Sequence, residues 1–191
     1  MIVSHAGLMN CRRDLNRDAL VLRAGSRRFR DARLQRLLDY WIKLRSDEDI
    51  PERSAFDCTS IPTLLPFVWL CRVEADSGRF QFRLAGEEIR SLFGRPVAGS
   101  YVDDLLPSIA GQLQTALAAI LNLPAACYFY GTLCHDYLTS IGAESLALPL
   151  CDGSRPSTIL GATVFSWLDR PALDDMNPRR TRSEIVPISE L

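Results

Sequence analysis

The chain is 191 residues long, with 47% hydrophobic and 24% charged residues and a formal net charge of −1. That length and hydrophobic content suit one globular domain with extensions. The near-zero charge supplies no global field for nucleic acid or an anionic membrane. No uninterrupted apolar run approaches the ~18 residues of a membrane span, and MIVSHAGLMNCRRD lacks the continuous apolar core of a secretory signal. A cytoplasmic location is expected.

In chain order, residues 1–30 lack sustained periodicity and read as a flexible basic leader. Between Arg12 and Arg53 there are 12 Arg/Lys against 8 Asp/Glu, a local excess that a solvated helix face explains more simply than a polyanion site. From Asp31 to Arg45 the pattern is helical. Leu34, Leu37, Leu38, Trp41 and Leu44 form one stripe, and Arg33, Arg36, Asp39 and Lys43 the opposite face. The stripe must be buried, either on the chain's own sheet or on a second copy of the helix. Those five residues are therefore a candidate dimer interface, Trp41 being the kind of anchor found at interfaces.

Pro51, Pro62 and Pro66 then prevent a regular helix. Phe67 to Glu74 is rich in aromatic and branched residues and predicts a strand, and Asp76-Ser77-Gly78 a turn into a second strand, Arg79 to Leu84. Phe80, Phe82 and Leu84 alternate with Gln81 and Arg83. After Ala85-Gly86 the apolar spacing turns helical through Ile89, Leu92 and Phe93, with Gly94 as the stop. Another short helical piece precedes Pro107. Ser108 to Asn122 predicts an amphipathic helix with Ile109, Leu113, Ala116, Leu117, Ile120 and Leu121 on its buried side, ended by Pro124. Three strands complete the pattern: Ala125 to Cys134, Glu144 to Leu150 with Leu146, Leu148 and Leu150 on one face, and Thr158 to Leu168. Residues 169–191 read as a tail.

Two hairpins separated by a helical crossover predict an α+β fold, a five-stranded antiparallel sheet with helices on one face, preceded by the amphipathic helix. The domain is placed at 31–168, with the helix at 31–45 and the core at 67–168. A pocket between the concave sheet face and the short helices is the natural site. On period two, Phe80, Phe82, Leu84, Leu146 and Leu148 would point into it, and Ile89, Leu92, Phe93, Leu113 and Leu117 would come down from the helices. A filled core accounts for the same pattern.

No catalytic constellation is present. Glu87 and Glu88 open a helix, where acidic residues suit the macrodipole, and Asp103 and Asp104 fall at a short helical turn. GxSxG, HExxH, Walker and kinase signatures are missing. The six cysteines, Cys11, Cys58, Cys71, Cys127, Cys134 and Cys151, contain no CxxC pair and read as reduced core thiols. His5 and His135 alone cannot assemble a histidine metal cluster.

The element order is that of a PAS domain, and the chain resembles a family of short stand-alone bacterial PAS-like proteins, once grouped as a domain of unknown function. The matching residues are Leu38-Asp39-Tyr40-Trp41 with Leu44-Arg45, Pro51-Glu52-Arg53, Ile61-Pro62 and Leu64-Leu65-Pro66. They continue through Arg79-Phe80, Arg83-Leu84-Ala85-Gly86, Leu92-Phe93-Gly94-Arg95, Gly99, Leu148-Pro149-Leu150 and Ile159-Leu160-Gly161-Ala162. The resemblance spans about residues 31–168. It implies a PAS fold and a place in signalling, with small-molecule sensing, dimerisation or docking as the roles open to such a domain, but no particular ligand. The Asn-Cys-Arg-Phe-Leu motif of flavin-binding relatives is matched only by Asn10-Cys11-Arg12-Arg13, ahead of the fold. The helix that carries the axial histidine in haem-binding relatives has none here, and His135 lies past the third strand. No haem, flavin or metal signature is therefore identified, and the cofactor is left unknown. The expectation is a non-enzymatic sensor or adaptor in bacterial regulation, working through a protein partner, a homodimer or a small ligand. A nucleic-acid regulator using the Arg-rich leader, and a structural adaptor with a filled core, are the alternatives.

Overall fold

The computed structural model describes residues 29–45, 50–134, 140–167 and 182–191. Most of the leader, with Cys11, and the turn at His135 and Asp136 lie outside the described residues. The elements are α1 (Ala32–Leu44), β1 (Val68–Val73), β2 (Phe80–Ala85), α2 (Glu87–Phe93), α3 (Val102–Leu105), α4 (Ala110–Asn122), β3 (Ala125–Cys134), β4 (Ser140–Cys151), β5 (Pro156–Trp167) and β6 (Arg182–Pro187).

The strands form one antiparallel sheet in the order β2-β1-β5-β4-β3-β6. It has six strands rather than the expected five. The sixth comes from Arg-Ser-Glu-Ile-Val-Pro at 182–187, within the region read as tail, and pairs with β3 from Ala125↔Pro187 to Tyr130↔Arg182.

The helices after β2 cover one face, as expected, and the preceding amphipathic helix covers the other. α2, α3 and α4 lie on the inner face with Cys71, Phe80, Phe82, Ala147 and Ile159. α1 lies on the outer face, with Leu70, Leu146, Leu148, Leu150 and Leu160 beneath it. The α1 stripe is thus satisfied within the chain: Leu34, Leu37 and Trp41 are fully buried and Leu38 nearly so. The Trp41 indole donates to the Pro149 carbonyl of β4 at 2.8 Å. Leu44 is half-buried. As arranged here the stripe is core, so the candidate interface of Leu34, Leu37, Leu38 and Trp41 is not open to a second copy. The apolar area that required a partner finds it in the sheet.

Local chemistry fixes the helix ends. The Asp31 carboxylate caps α1 by accepting the Arg33 amide at 2.8 Å. It also takes the Arg33 guanidinium at 2.6 Å, and that hydrogen bond holds its pKa below the ordinary value. α2 stops at Gly94, whose φ of 60° is the left-handed conformation of a helix C-cap. At the other end of α2, Gly86 packs so closely that a Cβ there would overlap the carbonyl oxygens of Leu65 and Pro66. Only glycine lets β2 pass directly into α2 beneath that segment. Among the described residues no helix is long and apolar enough to cross a membrane.

Candidate ligand pocket

Between the inner sheet face and α2–α4 lies a cavity of about 310 Å³. The sheet contributes small residues to its floor, Ala143, Ser145 and Ala147 on β4, Thr163 on β5, Cys71 on β1 and Cys127 on β3, beside the aromatic Trp69, Phe82, Phe129 and Phe165. On β4 the larger neighbours Leu146 and Leu148 turn to the α1 side, as does Leu160 on β5. The helices close it with Ile89, Leu92 and Phe93 from α2 and Leu113 and Leu117 from α4.

Of the expected pocket residues, Phe82, Ile89, Leu92, Phe93, Leu113 and Leu117 meet around this cavity. Phe80 faces the same side but is packed in the core there, 1% exposed and not lining the cavity. Leu84, Leu146 and Leu148 belong to the opposite face, which corrects their assignment. For Leu84 the cause is a bulge. Leu70 pairs with Leu84 but the next residue, Cys71, pairs with Phe82, so Arg83 is the extra residue and parity flips beyond it. For Leu146 and Leu148 the cause is that β4 is buried on both faces, and its leucines serve the outer one.

Trp69 and the floor residues were missed by sequence reasoning. The Trp69 ring meets Phe82 edge-on at 6.1 Å between centroids and lies over Gly161, where a Cβ would overlap the indole. Gly161-Ala162, inside an otherwise regular strand, was the available signal, since a glycine there marks the close approach of another group.

The polar content of the cavity is small. The Trp69 indole N–H donates to Thr163 Oγ1 at 3.0 Å, Thr163 Oγ1 lies 2.9 Å from Ser145 Oγ, and Ser145 Oγ donates to the Ala162 carbonyl at 3.2 Å. None of the described lining residues is charged. Burial raises the pKa of both thiols, Cys71 strongly and Cys127 from 9.0 to about 11. Both are therefore neutral near pH 7, and packed thiols rather than nucleophiles.

The carboxylates lie outside this chamber. Glu87 is exposed and pairs with Arg90 at 3.0 Å. Asp103 and Asp104 grip Arg79 at 2.9 and 2.7 Å, and the guanidinium stacks over Tyr101 at 3.8 Å. That cluster ties the start of β2 to α3. Among the described residues no group of three His, Cys, Asp or Glu side chains is placed to hold a metal. Of the Arg-rich stretch, Arg30 lies on Tyr130 at 3.8 Å and Arg33 on Phe67 at 4.0 Å, so both are engaged in the fold.

A PAS domain family model matches residues 29–164, from just before α1 into β5. No curated protein sequence matches the chain. Among solved structures, the LOV protein of Rhodobacter sphaeroides is similar at 12% identity over 63% of this chain and 73% of that one, with a TM-score of 0.42. An RNA-binding Light-Oxygen-Voltage receptor is similar at 15% identity over 59% of this chain and 34% of that chain, with a TM-score of 0.39. The chain therefore spans about a third of that receptor.

Proposed function

The chain belongs to the PAS domain family, and from that premise we propose that it is a non-enzymatic sensory protein that binds a small molecule in the cavity under α2–α4. The cavity carries this reading. Alanine, serine, threonine and cysteine set among aromatic sheet residues, under large apolar helix residues, leave about 310 Å³ unfilled. That is the low end of the range typical of ligand sites, whereas a purely structural core would be packed to near crystal density.

The output is proposed to run through α1 to a protein partner. Ala143 and Ser145 face the cavity, and Glu144 between them faces the start of α1, accepting the backbone N–H groups of Arg30 at 2.7 Å and Asp31 at 2.9 Å. A ligand that shifts β4 thus acts on both faces of the sheet. The polar outer side of α1, with Arg36, Asp39 and Lys43, borders a groove against residues 60–64 and is the surface offered to a partner. A bacterial, cytoplasmic setting belongs to the same proposal, in keeping with Cys58, Cys71 and Cys127 as free thiols. Homodimerisation through the α1 stripe would require that helix to leave the sheet.

Native mass spectrometry and an absorbance spectrum of the purified protein test the reading. A bound small molecule released on unfolding, and lost in Ala147→Phe, is the expected result. Protein that carries no small molecule, and binds none from a library of apolar compounds, would instead support a filled structural role.

A further inference from the structure

Apart from Gln112, which is exposed on α4, the hydroxyls and the indole of the cavity have their hydrogens accounted for. An indole N–H is a donor only, and a hydroxyl has one hydrogen and accepts up to two. Trp69 donates to Thr163 Oγ1, and Ser145 spends its hydrogen on the Ala162 carbonyl. Either oxygen could donate in the 2.9 Å contact between the two hydroxyls, and the assignment that closes all three contacts places the Thr163 hydrogen there. The relay runs Trp69 to Thr163 to Ser145 to the Ala162 carbonyl. Each hydroxyl oxygen receives one hydrogen bond and keeps room for another. Toward the cavity the relay therefore presents acceptors and no donor.

We propose that the ligand is an uncharged, mainly hydrocarbon molecule of about two-ring size that carries one O–H or N–H donor, seated on Thr163 and Ser145. This rests on the reading of the cavity as a ligand site. The size follows from a volume of about 310 Å³, twice the ~150 Å³ of an apolar cavity that accepts benzene. Neutrality follows from the uncharged lining, because a carboxylate or ammonium would lose its hydration with no counter-charge to replace it. The donor follows from the relay. A ketone or ether oxygen placed there would face other acceptors, and its desolvation would go uncompensated.

Calorimetry on the full chain with three probes on one ring system tests this: 2-naphthol, 2-methoxynaphthalene and 2-naphthoate at pH 7. The naphthol is expected to bind about tenfold tighter than the methoxy compound, and the naphthoate at least about a hundredfold weaker than the naphthol. Thr163→Val removes one of the two acceptors and should narrow the gap between the naphthol and the methoxy compound. Ser145→Ala frees the Thr163 hydrogen, so it should shrink or reverse the naphthol preference, and it serves as the second variant if Thr163→Val fails to fold. Equal binding of naphthol and methoxynaphthalene, naphthoate binding as well as either, or an unchanged preference in the variants would overturn the donor proposal. If the probes bind and Ala147→Phe blocks them, the cavity reading survives that outcome. If no probe binds, or all bind the Ala147→Phe protein as they bind the wild type, the cavity reading itself falls.

Discussion

Glu144 is 5% exposed, and its environment makes up for the missing water. Its carboxylate accepts the Arg30 and Asp31 amides and the Tyr128 hydroxyl, all within 2.9 Å. Hydrogen bonds to a charged group contribute more than neutral ones, and a donor left unpaired in the interior costs its full desolvation. Glu144→Gln is expected to destabilise the domain by about 2 kcal/mol, read as a lower urea midpoint. An unchanged midpoint would mean that water replaces the carboxylate. Protonation sets a second limit on the alkaline side. Burial raises the pKa of Cys71, Cys127 and Tyr128, and for Tyr128 the Glu144 hydrogen bond adds to it. A group whose pKa is higher folded than unfolded stabilises below its unfolded value and loses that contribution as pH rises through the folded one. For Cys127 the window runs from 9.0 to about 11. Cys127 should therefore lower stability by roughly 1 kcal/mol per pH unit across it, and Cys71 and Tyr128 act in the same direction above their own unfolded values. Urea unfolding from pH 8 to 11 would show the slope. Cys127→Ala should reduce it, and the same slope in that variant would remove Cys127 from the account.

At the scale of elements, α1 is tied to the sheet by burial more than by capping. Replacing Trp41, fully buried and hydrogen-bonded to Pro149, by alanine should cost about 3–5 kcal/mol, and by the same amount at any protein concentration. A loss that disappeared in concentrated protein would show that the stripe is shared between chains. The existence of α1 was legible because its apolar residues recur at helical spacing, and so were the first five strands, from alternation and turn residues. What covers each face was not legible. When both faces of a sheet are buried, period two sorts residues into two sets without saying which set meets which helices. Leu146 and Leu148 look like the better core residues, yet the small set of Ala143, Ser145 and Ala147 lines the cavity, because a cavity needs small side chains. Leu84 was misread because one bulged residue reverses parity. β6 gave no sign of itself. Its segment is half polar and ends in Pro187, and among its described side chains Val186 is the buried one, so its strand form comes from pairing with β3 rather than from its own pattern.

For the molecule as a whole, the three layers place the cavity and α1 on opposite sides of one sheet, with β4 touching both. Residues adjacent on a strand point to opposite faces, so a displacement that accommodates a ligand at Ala143 and Ser145 also moves the Glu144 carboxylate. The amides most exposed to that movement are those of Arg30 and Asp31, which have Glu144 as acceptor. Hydrogen exchange with and without saturating ligand would measure the effect, because exchange reports local opening. A ligand at about 100 times its Kd stabilises the whole fold by about 2.7 kcal/mol, which slows exchange wherever global unfolding is the route. The informative signal is a change at residues 29–31 and along α1 that differs from the general protection of β1 and β5. Glu144→Gln should abolish that difference while leaving ligand affinity within about twofold, since its side chain faces away from the cavity. If protection rises evenly across both faces, or changes only in α2–α4, α1 is a fixed cover and the proposed output through it falls.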